Sequence, residues 1–482
     1  MDGAREEVAS QVSEALPTLA PSGRLDPRAE SGSYGAILRM SAPLVLATSG
    51  FMLMHLLDAI FLARHSREAI AAAGAAGMAG FTINSLFLGV TGYVSTFVAQ
   101  YMGARRPERV GTAVWQAIYF AVAAAVIVAG FGFLAEPLFG FVDHEEQIRR
   151  TEVVYFQIIC WTALVPLLVT ALSGFFVGRG DNTTLLLVQL FGFIVNGFLS
   201  YGLIFGKLGL PELGATGAAW ATAVAQATVA VPAVALFFLP KHRRAFHTWS
   251  GRAFEGGLFR RLIRFGLPDG LRFTMEMIAF TVFIFIVGRL GTAELAATNI
   301  VWRINGVAFF PLIGLSRAIA TLVGHAQGRG EPAIAERSTW RGLVVSEAWM
   351  LFAAMLFLVF PRQLMDLFTA QEDLASEQTV AMGIVLLRFV ALYCVLDGLN
   401  IVFLGALQGA GDTRWTSVVS VSVNATFLVV ESAMEHYGAS LNQLWAVLTF
   451  LVMAQAFIWM ARFRRGHWKS MRVIESRPDE DC

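Results

Sequence analysis

A chain of 482 residues with 56% hydrophobic and only 15% charged side chains, and a mean hydropathy of +0.61, lies outside the soluble globular range, where about a quarter of residues carry charge. The net charge of +1 leaves no electrostatic footprint for nucleic acid. Cys160, Cys394 and Cys482 offer neither a disulfide framework nor a metal-ligand spacing.

In chain order, residues 1–36 mix acidic and basic side chains and contain no apolar core beside a small-residue cleavage site. No signal peptide is expected, and the segment is too poor in large apolar residues to fold alone. Apolar runs follow at about 38–62, 74–102, 110–138, 152–177, 183–206, 214–239, 264–289, 295–324, 341–361, 379–405, 415–434 and 441–462, each long enough to cross a bilayer. Twelve spans place both ends of the chain on one face. Lys and Arg divide 25 to 7 between the two sets of alternating connections, with Arg272, Arg303, Arg317 and Arg388 inside spans. The positive-inside rule then puts the termini and the basic 240–264 connection in the cytoplasm.

The two halves repeat. Pro43 and Pro268 open the first span of each half at an offset of 225, Gly103 and Pro107 match Gly328 and Pro332 at the same offset, and the turn at Asp181 matches the one at Asp412 at an offset of 231. Six spans per half is an even number, so the copies share one orientation and the pseudo-two-fold runs along the membrane normal. The expected division is a disordered N-terminal tail at 1–36, an N-lobe at 37–239, a basic linker at 240–263, a C-lobe at 264–462 and a C-terminal tail at 463–482. Two such six-helix lobes around a cleft suit an alternating-access carrier.

Asp58, Glu276 and Asp397 each sit in an otherwise apolar span. A carboxylate at bilayer depth costs a few kcal/mol even on lenient scales, roughly 2.5–3.5 at a helix centre, which marks it as functional by default. In a poorly hydrated cavity such a group holds a proton or trades it for Na⁺, the chemistry of an ion-coupled antiporter. Asp58 corresponds to position 283 under the repeat, so Glu276 is not its copy. The alternative is a buried ion pair, and Arg272, four residues before Glu276, is within salt-bridge reach. Tyr393, one turn before Asp397, is either an oxygen ligand or an interfacial or packed tyrosine, and Asn196 either a partner for an acid across the N-lobe or a hydrogen bond between helices. His55 is either a proton relay beside Asp58 or a packed histidine. The GRGD and GAGD turns lack a nucleotide-binding context, and no Walker motif, nucleophile elbow or metal cluster is present, so neither ATP-driven transport nor an enzyme is expected.

The proline-opened first span with its acid in LLDAIF, PELGATGAAWATA from Pro211, AATNIVWRINGVAFFP from Ala296 and the GxGD turns together resemble the multidrug and toxic compound extrusion (MATE) family, in its NorM-like branch, over about residues 35–462. The resemblance implies two six-helix lobes forming a V and efflux of bulky organic cations in exchange for inward Na⁺ or H⁺. It also implies that Asp58 is the N-lobe acid and that Glu276, Tyr393 and Asp397 form a C-lobe cation site able to take Na⁺. Two positions depart from the pattern. Ser200 stands where some relatives carry a second N-lobe aspartate, and Arg272 adjoins Glu276.

The expectation is therefore an all-α, twelve-span secondary antiporter of the inner (plasma) membrane, monomeric and without cofactor, exporting amphipathic or cationic compounds for Na⁺ or H⁺. A lipid-linked oligosaccharide flippase of the same superfamily is the alternative, since buried arginines would suit a pyrophosphate. A membrane-embedded channel or enzyme is the alternative of another class.

Overall fold

The computed structural model describes residues 32–140, 145–369 and 377–475. Most of the tail expected at 1–36, the last residues of the C-terminal tail and Cys482 lie outside them. The helices run α1 Tyr34–His65, α2 Arg67–Gly92, α3 Val94–Gly103, α4 Glu108–Gly132, α5 Ala135–Gly140, α6 Glu146–Trp161, α7 Leu164–Arg179, α8 Asn182–Phe205 and α9 Gly214–Phe237 in the N-lobe, then the short α10 Pro240–Phe246. The C-lobe follows as α11 Gly256–Leu290, α12 Thr292–Arg329, α13 Pro332–Val359, α14 Pro361–Thr369, α15 Glu377–Ala410, α16 Thr413–His436 and α17 Leu441–Arg464. Among the described residues, eleven helical segments are long and apolar enough to span. The twelfth span is a broken pair, α6 and α7, bent by 41°.

The sequence explains the ends of these helices better than their lengths. Ser33 and Ser66 cap α1 and α2, each side-chain oxygen accepting from the backbone N–H three residues on, at 3.3 and 2.9 Å. Gly180 and Gly411, at φ +79° and +105°, end α7 and α15 in the left-handed region that glycine tolerates. Asp181 and Asp412 then start α8 and α16, so the matched GxGD turns are matched helix junctions. One boundary differs from the run read at 264–289. Helix α11 begins at Gly256, taking in part of the basic connection.

The lobes meet by a reciprocal set of close backbone contacts. A Cβ on Gly103 would lie 2.1 Å from the His325 carbonyl oxygen, and one on Gly328 would lie 2.1 Å from that of Gln100. Residue 325 is residue 100 shifted by the repeat. The same exchange recurs deeper: a Cβ on Gly89 would meet Gly270 at 2.5 Å, and one on Gly314 would meet Val45 at 2.5 Å, positions 45 and 270 being repeat mates. Between membrane helices there is little hydrophobic drive to associate, so close approach at small residues carries the packing. Hydrogen bonds cross the same seam, from Thr48 to the Phe310 carbonyl at 3.0 Å, between Ser85 and Thr274 at 3.0 Å, and from Tyr93 to the Gln408 carbonyl at 2.9 Å.

At the face that carries the basic connection, the chain after α17 turns at Gly466 and returns between the lobes. The Val473 N–H donates to Gln100 at 2.8 Å, Gln327 donates to the Trp468 carbonyl at 2.6 Å, and Arg261 to the Val473 carbonyl at 3.0 Å. Glu475 accepts from Tyr101 at 2.7 Å and Arg106 at 2.8 Å. Burial alone would raise the Glu475 carboxyl, but its own backbone N–H, the Tyr101 hydroxyl and the charges of Arg106 and Arg109 outweigh it and hold the group below the usual glutamate value. In the nearby α10, burial first and the charge of Arg179 second push His242 down to about 4.

Candidate functional site

On α1 the buried positions Met54, Asp58 and Leu62 recur at four-residue spacing, which turns the carboxylate toward the lobe interior. Asp58 accepts a 2.6 Å hydrogen bond from Ser200 on α8. Asn196, one turn earlier on α8, lies beside it and also donates to Thr222 on α9 at 3.4 Å. Tyr155 on α6 is close enough for its phenol to feel the Asp58 charge. Thus Ser200 occupies the place where a second acid was expected in some relatives, as a donor to the first. His55 is exposed, sits edge-on to Phe51 at 4.4 Å, and shares no hydrogen bond with Asp58 among the described residues.

In the C-lobe the i, i+4 spacing on α11 produces the ion pair that it permits. One nitrogen of Arg272 reaches both Glu276 oxygens, at 2.7 and 2.8 Å, while Nε donates to Asp269 at 3.1 Å. Gln408 on α15 closes the group by donating to Asp269. Sequence reading missed Asp269, although its three-residue spacing from Arg272 was there to be used. A buried arginine held between two carboxylates is strongly fixed, because removing any one partner strands a charge.

Asp397 on α15 is 4% exposed and accepts from Asn400 at 3.4 Å. Tyr393, one turn back and 3% exposed, has a buried hydroxyl with no hydrogen-bond partner. The acid that approaches Asp397 is Glu347 on α13. Its Oε1 would lie 2.5 Å from a Cβ on Gly398, the residue next to Asp397, and the two charges interact. Ser346 Oγ approaches the same glycine at 2.9 Å and is likewise buried and unpartnered, as is Glu347 Oε1. No hydrogen bond joins Glu276 to Asp397 or Tyr393 among the described residues. The structure therefore brings together Asp58 with Ser200 and Asn196, and Glu276 with Arg272. Unmet oxygens gather instead around Asp397 and Gly398, a set of hard donors that fits an alkali cation better than a transition metal. Among the described residues no group of three or more His, Cys, Asp or Glu side chains is placed to hold a metal ion.

Between the lobes, a cavity of about 200 Å³ is lined by Leu56, Ile60 and Ile70 on one side and Arg303, Leu367 and Phe368 on the other. A second, of about 220 Å³, lies at the returning C-terminal segment and is lined by Arg105, Arg106, Arg472 and Glu475, far along the chain from the three expected acids.

This arrangement has relatives. A multidrug resistance protein NorM of Burkholderia vietnamiensis is 30% identical over 378 residues, 78% of this chain and 81% of that protein. A probable multidrug resistance protein NorM of Pseudomonas putida is 30% identical over 395 residues, covering 80% and 84%. Among solved structures, an outward-facing multidrug resistance MATE family transporter superposes with a TM-score of 0.83 at 20% identity, over 94% of this chain and all of that one. A MOP superfamily transporter from Pyrococcus furiosus gives 0.80 at 20% identity, over 90% and 96%. The MatE family itself matches residues 43–202 and 268–431, one segment in each lobe, and the chain belongs to that family.

Proposed function

We propose that this chain is a secondary antiporter that exports amphipathic, usually cationic, compounds through the cleft between its lobes in exchange for an ion. The observation that carries the reading is the set of buried carboxylates without a cationic partner in the spans, Asp58 in one lobe and Asp397, beside the half-buried Glu347, in the other. Such groups are costly unless they take up a cation or a proton. The relatives named for multidrug resistance supply the substrate class, and a largely apolar cavity between the lobes, with Arg303 in its lining, suits an amphipathic cargo.

In this reading the oxygens of Asp397, Tyr393, Glu347 and Ser346 bind Na⁺, and Asp58 carries a proton. Glu276 is already neutralised by Arg272 and contributes position rather than charge. A flippase for lipid-linked pyrophosphates is less favoured, because Arg272 is matched by Asp269 and Glu276 and adds no net positive charge to the cleft. The lobes are assigned to 37–239 and 264–462, joined by the linker at 240–263, with both termini on the cytoplasmic side of the inner membrane, as the 25-to-7 division of Lys and Arg indicates.

Ethidium efflux from everted vesicles or proteoliposomes under an imposed Na⁺ or pH gradient tests this. Export driven by a gradient in the wild type, and lost in Asp58→Asn and Asp397→Asn, is expected. Glu347→Gln should weaken Na⁺-driven export at least tenfold and leave folding intact. No ethidium movement under either gradient, with the protein correctly inserted, would overturn antiport and make lipid-linked sugars the next substrates to test.

A further inference from the structure

Glu431 is a buried acid that takes no part in the sites above. Helix α16 buries Thr413, Thr416, Ser420, Asn424, Phe427 and Glu431, spaced three or four apart, so that they form one inward stripe. Glu431 is 0% exposed, and neither carboxylate oxygen has a hydrogen-bond partner among the described residues. A buried carboxyl kept for packing is hydrogen-bonded or paired. Asp58 is so held by Ser200, Glu276 by Arg272, Asp397 by Asn400 and Asp412 by Arg462, and of Glu347 only Oε1 is left unmet.

No charge compensates Glu431 either. On α11 the nearest cation along the helix, Arg289, is engaged 3.0 Å away by Glu435, one turn beyond Glu431 on its own helix. His436 ends that helix against Tyr437. Helix α17 has no charged residue before Arg462, at its opposite end, and Asp397 on α15 does not act on Glu431. A desolvated carboxyl in such surroundings is tolerable with a proton on it and costly without one.

The repeat says where this group stands. Shifted by 231 residues, α16 falls on α8, and four buried positions coincide: Thr413 on Asn182, Thr416 on Leu185, Phe427 on Asn196, Glu431 on Ser200. On the first helix of each half, Phe283 falls on Asp58. The N-lobe therefore has its acid on the first helix, with Asn196 and Ser200 on the fifth. The C-lobe has phenylalanines at the first two of these places, Phe283 and Phe427, in ring contact at 6.2 Å, and its acid at the third. The carboxyl has changed helices while the site has kept its place in the lobe.

We propose that Glu431 is a proton-binding site of the C-lobe, the counterpart of the Asp58 site, which takes up and releases one proton as the transporter cycles. Ser420 on the same stripe, with an unpartnered buried hydroxyl, lies toward the linker-bearing end and lengthens a polar track for that proton. The proposal rests on the antiporter reading for its place in a cycle, but the site itself is testable without transport.

The test is infrared difference spectroscopy of the carboxyl C=O band during a pH titration of the purified full chain in lipid, for wild type, Glu431→Gln, Glu431→Asp and Asp58→Asn. Proton release on adding ethidium to the unbuffered protein is measured in parallel. The expected result is that Glu431→Gln removes one titrating carboxyl and lowers proton release by one, that Glu431→Asp shifts the titration without removing it, and that Asp58→Asn removes a different band. An unchanged band count and proton yield in Glu431→Gln, with normal folding, would assign the residue a merely structural role and sink the proposal. A band that responds to Na⁺ at fixed pH and not to pH would also overturn it, in favour of a cation site. If Glu431→Gln does not fold, titration of the wild type with and without carbon-13-labelled glutamate decides, since a glutamate band that never titrates refutes the site. Wild-type protein that fails to move ethidium under any gradient yet shows the Glu431 titration would remove the antiporter reading and leave the proton site standing.

Discussion

The N-lobe and the C-lobe share one backbone plan and handle buried charge in opposite ways. In the N-lobe Asp58 is held by neutral donors, Ser200 and its neighbour Asn196, and carries no counter-charge. In the C-lobe one acid pair is locked by Arg272, while Glu347, Ser346 and Tyr393 leave oxygens unmet near Asp397. A repeat thus conserves where helices touch, and it leaves free which of the facing positions carry the polar atoms. In the proposed reading the locked triad is a structural strut, and the unmet oxygens are the ones offered to ions.

Substitutions sharpen this contrast in order of expected size. Arg272→Ala strands Asp269 and Glu276 and should destabilise by about 3–5 kcal/mol, seen as a large fall in melting temperature in detergent. The triple change Arg272→Met, Asp269→Asn, Glu276→Gln should recover most of it. Failure to recover would mean that the triad is more than a strut. Gly103→Ala and Gly328→Ala each place a methyl against a carbonyl across the seam, and overpacking of this kind costs about 1–3 kcal/mol. Equal losses for the two mates, in the same melting assay, are what the reciprocal contact demands.

Ser200→Ala takes the donor from Asp58 and should cost about 1–2 kcal/mol, whereas Phe427→Ser in the other lobe would give Glu431 a neighbour it does not now have. Ethidium export lost in the first and retained in the second would separate the two lobes' acids. The smallest effect belongs to Glu475→Gln. Its carboxyl is held below the usual value, so its ties to Tyr101 and Arg106 are intact above about pH 4.3, the unfolded glutamate value, and are lost as pH falls through the lowered one. The variant should show at neutral pH the protease sensitivity of the C-terminal segment that the wild type shows only in acid.

Much of the frame was legible in the residues. Hydropathy located the spans because bilayer thickness sets their length, and the GxGD and proline offsets exposed the repeat because helix junctions need those residue types. Helical spacing put Arg272 within reach of Glu276 but left the pairing open, and the structure makes it. Glu347 and Glu431 were passed over for a different reason. VVESAMEH lies near a span end, where an acid on the sequence reads as interfacial, whereas Glu347 lies mid-way along α13, and only the packing of neighbouring helices shows that its Oε1 and both Glu431 oxygens are out of reach of water. The break between α6 and α7 was hidden inside one apolar run, and the return of the chain after Gly466 rests on single long-range hydrogen bonds that leave no periodic trace.

The reciprocal glycine contacts have a consequence for origin. A surface that packs against its own copy about a two-fold is the isologous interface of a homodimer. Each half, having six spans, begins and ends on the same side of the bilayer, so two copies already paired this way need only one short connection on that side to become a single chain. The basic connection at 240–263 is that join, and it adds no further crossing. Within a single chain the two faces need not stay chemically identical, and the acid on the first helix of one half and on the fifth of the other uses that freedom.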